Sequence, residues 1–175
     1  MEAITVRFTY TKDEYVRAVR QYLIATKRIN RSSLVLIPAI FALSVFVVFA
    51  APSVGGYLLL GLSLLALAMM LFIYRVQPPR LFARAAKLRE PYTLVFSRDD
   101  IRFSTPSVSS TLQWHVYARA MESGDFLFLM QKEGPYTIIP KRALEEDGAL
   151  EALRGMAQAA LGPITRMAAG PWTKN

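Results

Sequence analysis

The chain has one histidine and no cysteine, so its options for chemistry narrow at once. Without cysteine there are no disulfides, thiolate nucleophiles or zinc–thiolate clusters. His115 follows Trp114 with no serine–acid pair or metal-ligand spacing around it. It reads as a structural or surface histidine, and Trp114 as sheet packing. Asp99-Asp100 is the nearest approach to paired carboxylates, but adjacent strand residues point to opposite faces, and a tight turn explains the pair. No catalytic, cofactor-binding or metal residue is assigned, and the chain is read as not an enzyme. The side chains that suit a ligand are cations. Pro140-Lys141-Arg142 stands where a strand hands over to a helix, whose first N–H groups favour anions. Arg80, Arg84 and Lys87 form one side of a basic segment. A phosphate or an anionic lipid headgroup is the chemistry that Lys141, Arg142, Arg80, Arg84 and Lys87 would take.

Where the charge sits decides what elements hold these cations. The 175 residues carry a formal charge of +8. Between Lys27 and Arg89 there are eight basic residues (Lys27, Arg28, Arg31, Arg75, Arg80, Arg84, Lys87, Arg89) and no acidic one. Taking those eight from the 21 basic residues leaves 13, against 13 acidic residues. The excess therefore flanks one block rather than forming a nucleic-acid-binding face, and no nucleic-acid partner is expected.

That block, residues 32–74, runs 43 residues without a charged side chain. As one helix it would be roughly 65 Å long, about twice the hydrocarbon core of a bilayer. It must fold back, and Pro52-Ser53-Val54-Gly55-Gly56 marks the reversal. Residues 34–51 and 55–74 are then two transmembrane spans of 18 and 20 residues. Basic flanks are retained in the cytoplasm and the turn is uncharged, so both termini are expected to be cytoplasmic. Pro78-Pro79 is expected to break the helix, with residues 80–89 resuming as an interfacial amphipathic segment along the headgroups.

On either side of this block the periodicity changes. Ile4, Val6 and Phe8 alternate with polar residues as in a half-buried strand. Thr11 and Glu14 form a capping box for a helix with Tyr15, Val19, Tyr22 and Leu23 at helical spacing. After Pro91, six short runs read as strands: 92–97, 101–104, 111–114, 117–122, 126–131 and 136–139. They are expected to form one antiparallel meander. Residues 142–161 turn helical, with an interruption near Asp147-Gly148 and an apolar face of Leu150, Leu153, Ala157 and Ala160.

The order of elements, the strand end Thr111-Leu112-Gln113-Trp114, and the run Tyr136-Thr137-Ile138-Ile139-Pro140-Lys141-Arg142-Ala143-Leu144 resemble the YcxB-like family of bacterial membrane proteins. The resemblance extends over most of the chain to about Leu144, departing from the family pattern at His115-Val116-Tyr117. It implies a PH-like β domain, with which the N-terminal strand pairs, behind a two-span anchor. It implies no established activity.

The expected fold class is an α+β membrane protein, a two-helix transmembrane hairpin plus a small antiparallel PH-like β domain with a C-terminal helix. Its parts are a cytoplasmic strand and amphipathic helix (1–31), the hairpin (32–75), a juxtamembrane basic segment (76–90), the cytoplasmic PH-like domain with its helix (91–161) and a flexible tail (162–175). The expected function is a non-enzymatic, membrane-anchored interaction or regulatory module of the bacterial inner membrane, multi-pass, without cofactors. Its expected partners are the bilayer, with anionic headgroups, and a protein the sequence does not name. The alternative is a small accessory subunit of a transporter or envelope-assembly complex. Neither reading sets an oligomeric state.

Overall fold

The computed structural model describes residues 3–26, 32–133, 135–144 and 148–167. Lys27, Arg28 and Arg31 of the basic flank, Asp147 of the expected helix interruption, and the expected tail from residue 168 onward lie outside the described residues. The chain divides into two compact units, Met1–Gln21 with Ala85–Asn175, and Tyr22–Arg84.

The first unit opens with strand β1 (Ile4–Phe8), whose alternation buries Val6 and Phe8. Helix α1 (Lys12–Ala25) follows. Its capping box forms: the Glu14 backbone N–H donates to Thr11 Oγ1 (3.3 Å), and the Thr11 N–H donates to Glu14 Oε2 (3.1 Å). The helix buries Val16, Ala18 and Val19 with Glu14, so the expected stripe through Tyr15 and Leu23 is rotated. An ion pair described below draws Glu14 inward.

In the second unit, α2 (Ser33–Ala50) and α3 (Val54–Leu71) pack side by side. The reversal lies at residues 51–53, where Ser53 caps α3 by accepting from the Gly56 N–H (3.2 Å). The expected break at Pro78-Pro79 does not occur, since helix runs on through residues 54–84. A π turn, Phe72–Val76, lets the Gln77 N–H reach the Phe72 carbonyl. Both prolines then fall in the first turn of α4 (Gln77–Arg84), directly after the π turn. The basic segment expected to stay helical to residue 89 ends as α-helix at Arg84, and Ala86–Arg89 is a 3₁₀ turn.

The rest of the first unit is β2 (Tyr92–Phe96), β3 (Asp100–Ser104), β4 (Ser109–Gln113), β5 (Tyr117–Glu122), β6 (Phe126–Gln131), β7 (Tyr136–Pro140), α5 (Ala149–Leu161) and β8 (Thr165–Arg166). The strands match the expected runs to within two residues. They do not form one meander but two four-stranded sheets, ordered β1-β2-β3-β4 and β7-β6-β5-β8. The division falls at a 3₁₀ turn, Trp114–Val116, where buried Trp114 donates its indole N–H to the Ser97 carbonyl (3.0 Å) and turns the backbone out of the first sheet. Phe126, Leu127, Phe128 and Leu129 of the central strand β6 are all buried, as befits a strand covered on both faces. α5 packs on β5 with Leu153, Met156 and Ala157 inward, and Met156 takes the place expected of exposed Ala160. Part of the expected flexible tail is ordered, because β8 runs parallel to β5 and the Met167 N–H reaches the Glu122 carbonyl (2.7 Å).

Candidate functional site

The acid–base candidates decide what the unit can do chemically. His115 is exposed on the 3₁₀ turn after β4. Asp99 is exposed in the β2–β3 turn, while Asp100 begins β3 and accepts from Ser97, whose hydroxyl folds back over the turn. The structure brings neither aspartate into a constellation with His115.

The five cations fall on three elements. Arg80 and Arg84 are exposed on α4, with the Arg80 guanidinium 5.8 Å from the centre of the Phe72 ring. Lys87 is exposed on the 3₁₀ turn before β2. Lys141 and Arg142 begin a four-residue 3₁₀ turn, Lys141–Leu144, rather than the helix N-terminus expected there. Their charges are answered inside the fold. Lys141 Nζ lies 2.5 Å from Glu122 Oε1, and Arg154 of α5 donates to both oxygens of the same carboxylate, its Nε at 3.0 Å. Arg142 grips Glu14 with its Nε and Nη2, the latter at 2.9 Å, and Nη2 also donates to the Thr9 carbonyl (2.9 Å). Arg142 thus ties the turn to β1 and α1. Hydrogen bonding from Arg142 holds the Glu14 carboxyl below its ordinary 4.5. Burial pushes Glu122 up, but Arg154 and Lys141 together outweigh it and hold the carboxyl below 4.5.

What the unit offers a ligand lies elsewhere. A cavity of about 420 Å³ is lined from both sheets, by Phe8 of β1, Tyr92 and Leu94 of β2, Phe103 of β3, Ser110 and Leu112 of β4, and residues 135–138 at β7. Tyr10 and Tyr15 complete its aromatic wall. The rings brace one another: Phe8 stacks on Tyr92 (centroids 5.5 Å apart), Tyr10 meets Tyr92 edge to face (5.0 Å), and Phe103 meets Tyr92 likewise (5.4 Å). The Tyr10 hydroxyl donates to the Ile138 carbonyl (2.5 Å), tying the segment after β1 to β7.

Among the described residues lining the cavity none is charged. Burial, foremost, raises Tyr10, Tyr15 and Tyr92 above their ordinary 10.0, so these phenols stay neutral at physiological pH. The volume lies within the ~300–1,000 Å³ of small-ligand and side-chain pockets. Such walls take uncharged, apolar groups and supply no general base. Sequence reasoning missed these rings because their meeting depends on which strands pair. The readable trace was aromatics recurring at the inward positions of β1, β2 and β3.

Fold and site together define a class, a two-sheet β unit closed by a C-terminal helix, with an uncharged helical hairpin inserted between its first two strands. A family model described as YcxB-like protein matches residues 96–157, which supports the YcxB-like family for this chain. The matched stretch runs from the end of β2 into α5 and contains Thr111-Leu112-Gln113-Trp114 and residues 136–144. No curated protein and no solved structure matches the chain.

Proposed function

We propose that the chain is a non-enzymatic, membrane-anchored interaction or regulatory module of the bacterial inner membrane. In this reading α2 and α3 cross the bilayer as a hairpin, and the two-sheet unit is a PH-like domain at the cytoplasmic face. One observation carries it. β1 and β2 are paired neighbours, Ile4 against Phe96 through Phe8 against Tyr92, although residues 9–91 separate them and include both uncharged helices. Strands that pair lie on one side of a membrane, so the inserted chain must cross it an even number of times.

The hairpin's surface supports lipid as its surroundings. Phe46, Phe49, Leu58, Leu62 and Leu65 are each more than half exposed, an arrangement water would penalise. Ser44 and Ser63, from the middle of the uncharged helices, turn inward and bond each other (Oγ–Oγ 2.8 Å). Arg75, Arg80 and Arg84 end the second helical run, whereas the α2–α3 turn is uncharged, so the positive-inside rule puts both ends in the cytoplasm. Arg80, Arg84 and Lys87 then face the anionic headgroups, each contributing about 1 kcal/mol.

Because the chain lacks cysteine, single substitutions give unique labels. Ser53→Cys in the turn is expected to react with an impermeant maleimide from outside intact cells, and Ser104→Cys at the end of β3 only after the membrane is opened. Labelling of both from the same side would overturn the hairpin topology.

A further inference from the structure

The unit has four sheet edges, and three are closed. In β7 the Lys141 N–H donates to the Asp125 carbonyl (2.9 Å), which sets the pairing phase so that Tyr136, Ile138 and Pro140 turn their backbone groups outward. Tyr10 takes the Ile138 carbonyl, and Pro140 has no N–H. Beyond β1, Arg142 takes the Thr9 carbonyl, and Arg7 stands exposed on the strand. β8 is two residues long. Short length, charge, proline and side-chain cover are the devices that keep sheet edges from pairing.

β4 has none of these. It is five residues long, uncharged, free of proline and exposed except at Leu112, and among the described residues no strand lies beyond it. The Thr105 N–H donates to the Val108 carbonyl (2.7 Å), so Ser110 and Leu112 exchange hydrogen bonds with β3. Ser109, Thr111 and Gln113 therefore aim their N–H and C=O groups away from the sheet. The alternate residues Ser110 and Leu112 line the aromatic cavity.

We propose that the β4 edge and the adjoining cavity dock an extended, uncharged peptide segment of a partner protein. The segment adds a fifth strand to the β1–β4 sheet, its backbone pairs with Thr111, and the two residues flanking that position send apolar side chains into the cavity. The proposal rests on the interaction-module reading and supplies the chemistry of its partner. Backbone groups at strand spacing require a peptide, since an alkyl chain would fill the cavity and leave the edge unmet. A second copy of this chain would place its own Ser110 and Leu112 there, too little to occupy about 420 Å³.

The test uses the full chain in nanodiscs of phosphatidylethanolamine and phosphatidylglycerol, with fluorescein-labelled, capped peptides of the pattern Thr-Ser-X-Thr-X-Ser-Thr. Peptides with Phe or Leu at both X positions are expected to bind saturably, and those with Asp or Lys not at all. Thr111→Pro removes an outward N–H without touching the β3 ladder, so it is expected to leave thermal stability in place and weaken binding about tenfold. Methylating the central amide nitrogen of the peptide is expected to do the same against the unaltered chain, which keeps the test independent of how the variant folds. Binding indifferent to both changes, no binding by the apolar peptides, or a Thr111→Cys disulfide between copies that competes with them would each overturn the docking site. Those failures leave the cysteine-labelling result untouched, so the anchor stands or falls separately.

Discussion

Glu122 holds the closing part of the β unit together, because one carboxylate at the end of β5 serves Lys141 after β7 and Arg154 on α5. Its side chain is 12% exposed, and those of its partners 20% and 27%. Removing it leaves Lys141 without its ion pair and Arg154 with only the exposed Glu151, so Glu122→Ala is expected to cost about 2 kcal/mol in chemical denaturation, while the Lys141→Ala change alone costs less. Glu14 does the same for β1, α1 and the 3₁₀ turn through Arg142. Its folded value lies below the ordinary 4.5, so its contribution is present above that value and lost as pH falls through the folded one. Acid titration of unfolding should therefore show stability falling below about pH 4.5, with a shallower fall in Glu14→Gln. These pairs explain why Lys141 and Arg142 read as free anion-binding cations in the sequence. Glu14 stands 128 residues from Arg142, and no local pattern announces a partner at that distance. The capping box of Thr11 and Glu14 was legible, being wholly local.

Among the elements, strand positions were legible because inward apolar residues recur at period two between turn residues, as in Tyr92, Leu94 and Phe96 of β2. The division into two sheets was not, because it depends on Trp114 finding the Ser97 carbonyl across a hairpin. Pro78-Pro79 misled for a similar reason. A local rule reads two prolines as a helix break, but the π turn before them shifts the hydrogen-bond register by one residue and the helix runs on through them. In the hairpin, Ser44 and Ser63 share a hydrogen bond while each also lies within reach of its own i−3 carbonyl (Phe41 at 2.7 Å, Leu60 at 3.0 Å). Either serine can turn back to its own helix. A double-alanine cycle at Ser44 and Ser63, read by reversible unfolding in mild detergent, is therefore expected to give a small coupling of about 0.6 kcal/mol. Replacing Arg80 and Arg84 with Gln leaves helix propensity nearly unchanged and removes the two charges that the proposed anchor sets against headgroups. Enrichment of phosphatidylglycerol around the purified chain, measured by lipid mass spectrometry, should fall in that variant.

At the scale of the whole molecule, the β unit is discontinuous in sequence. Its first strand and helix come before the uncharged block, and everything from β2 onward comes after it. Composition and charge revealed the hairpin, and periodicity revealed a strand at each border. That β1 completes the sheet of β2 is a fact of tertiary pairing, which the sequence carried only through family resemblance. Anchoring of one β unit by an inserted hairpin depends on that pairing more than on any other contact. Thr5 and Val95 face each other across β1 and β2 in the wide, non-hydrogen-bonded phase, on the sheet's more exposed face. Their Cα spacing in that phase suits a disulfide. The decisive measurement is oxidative crosslinking of the Thr5→Cys, Val95→Cys double variant in native membranes. Rapid intramolecular closure is expected, seen as a mobility shift in the single chain. Failure to close, or closure only between chains, would contradict a β unit built around a membrane hairpin.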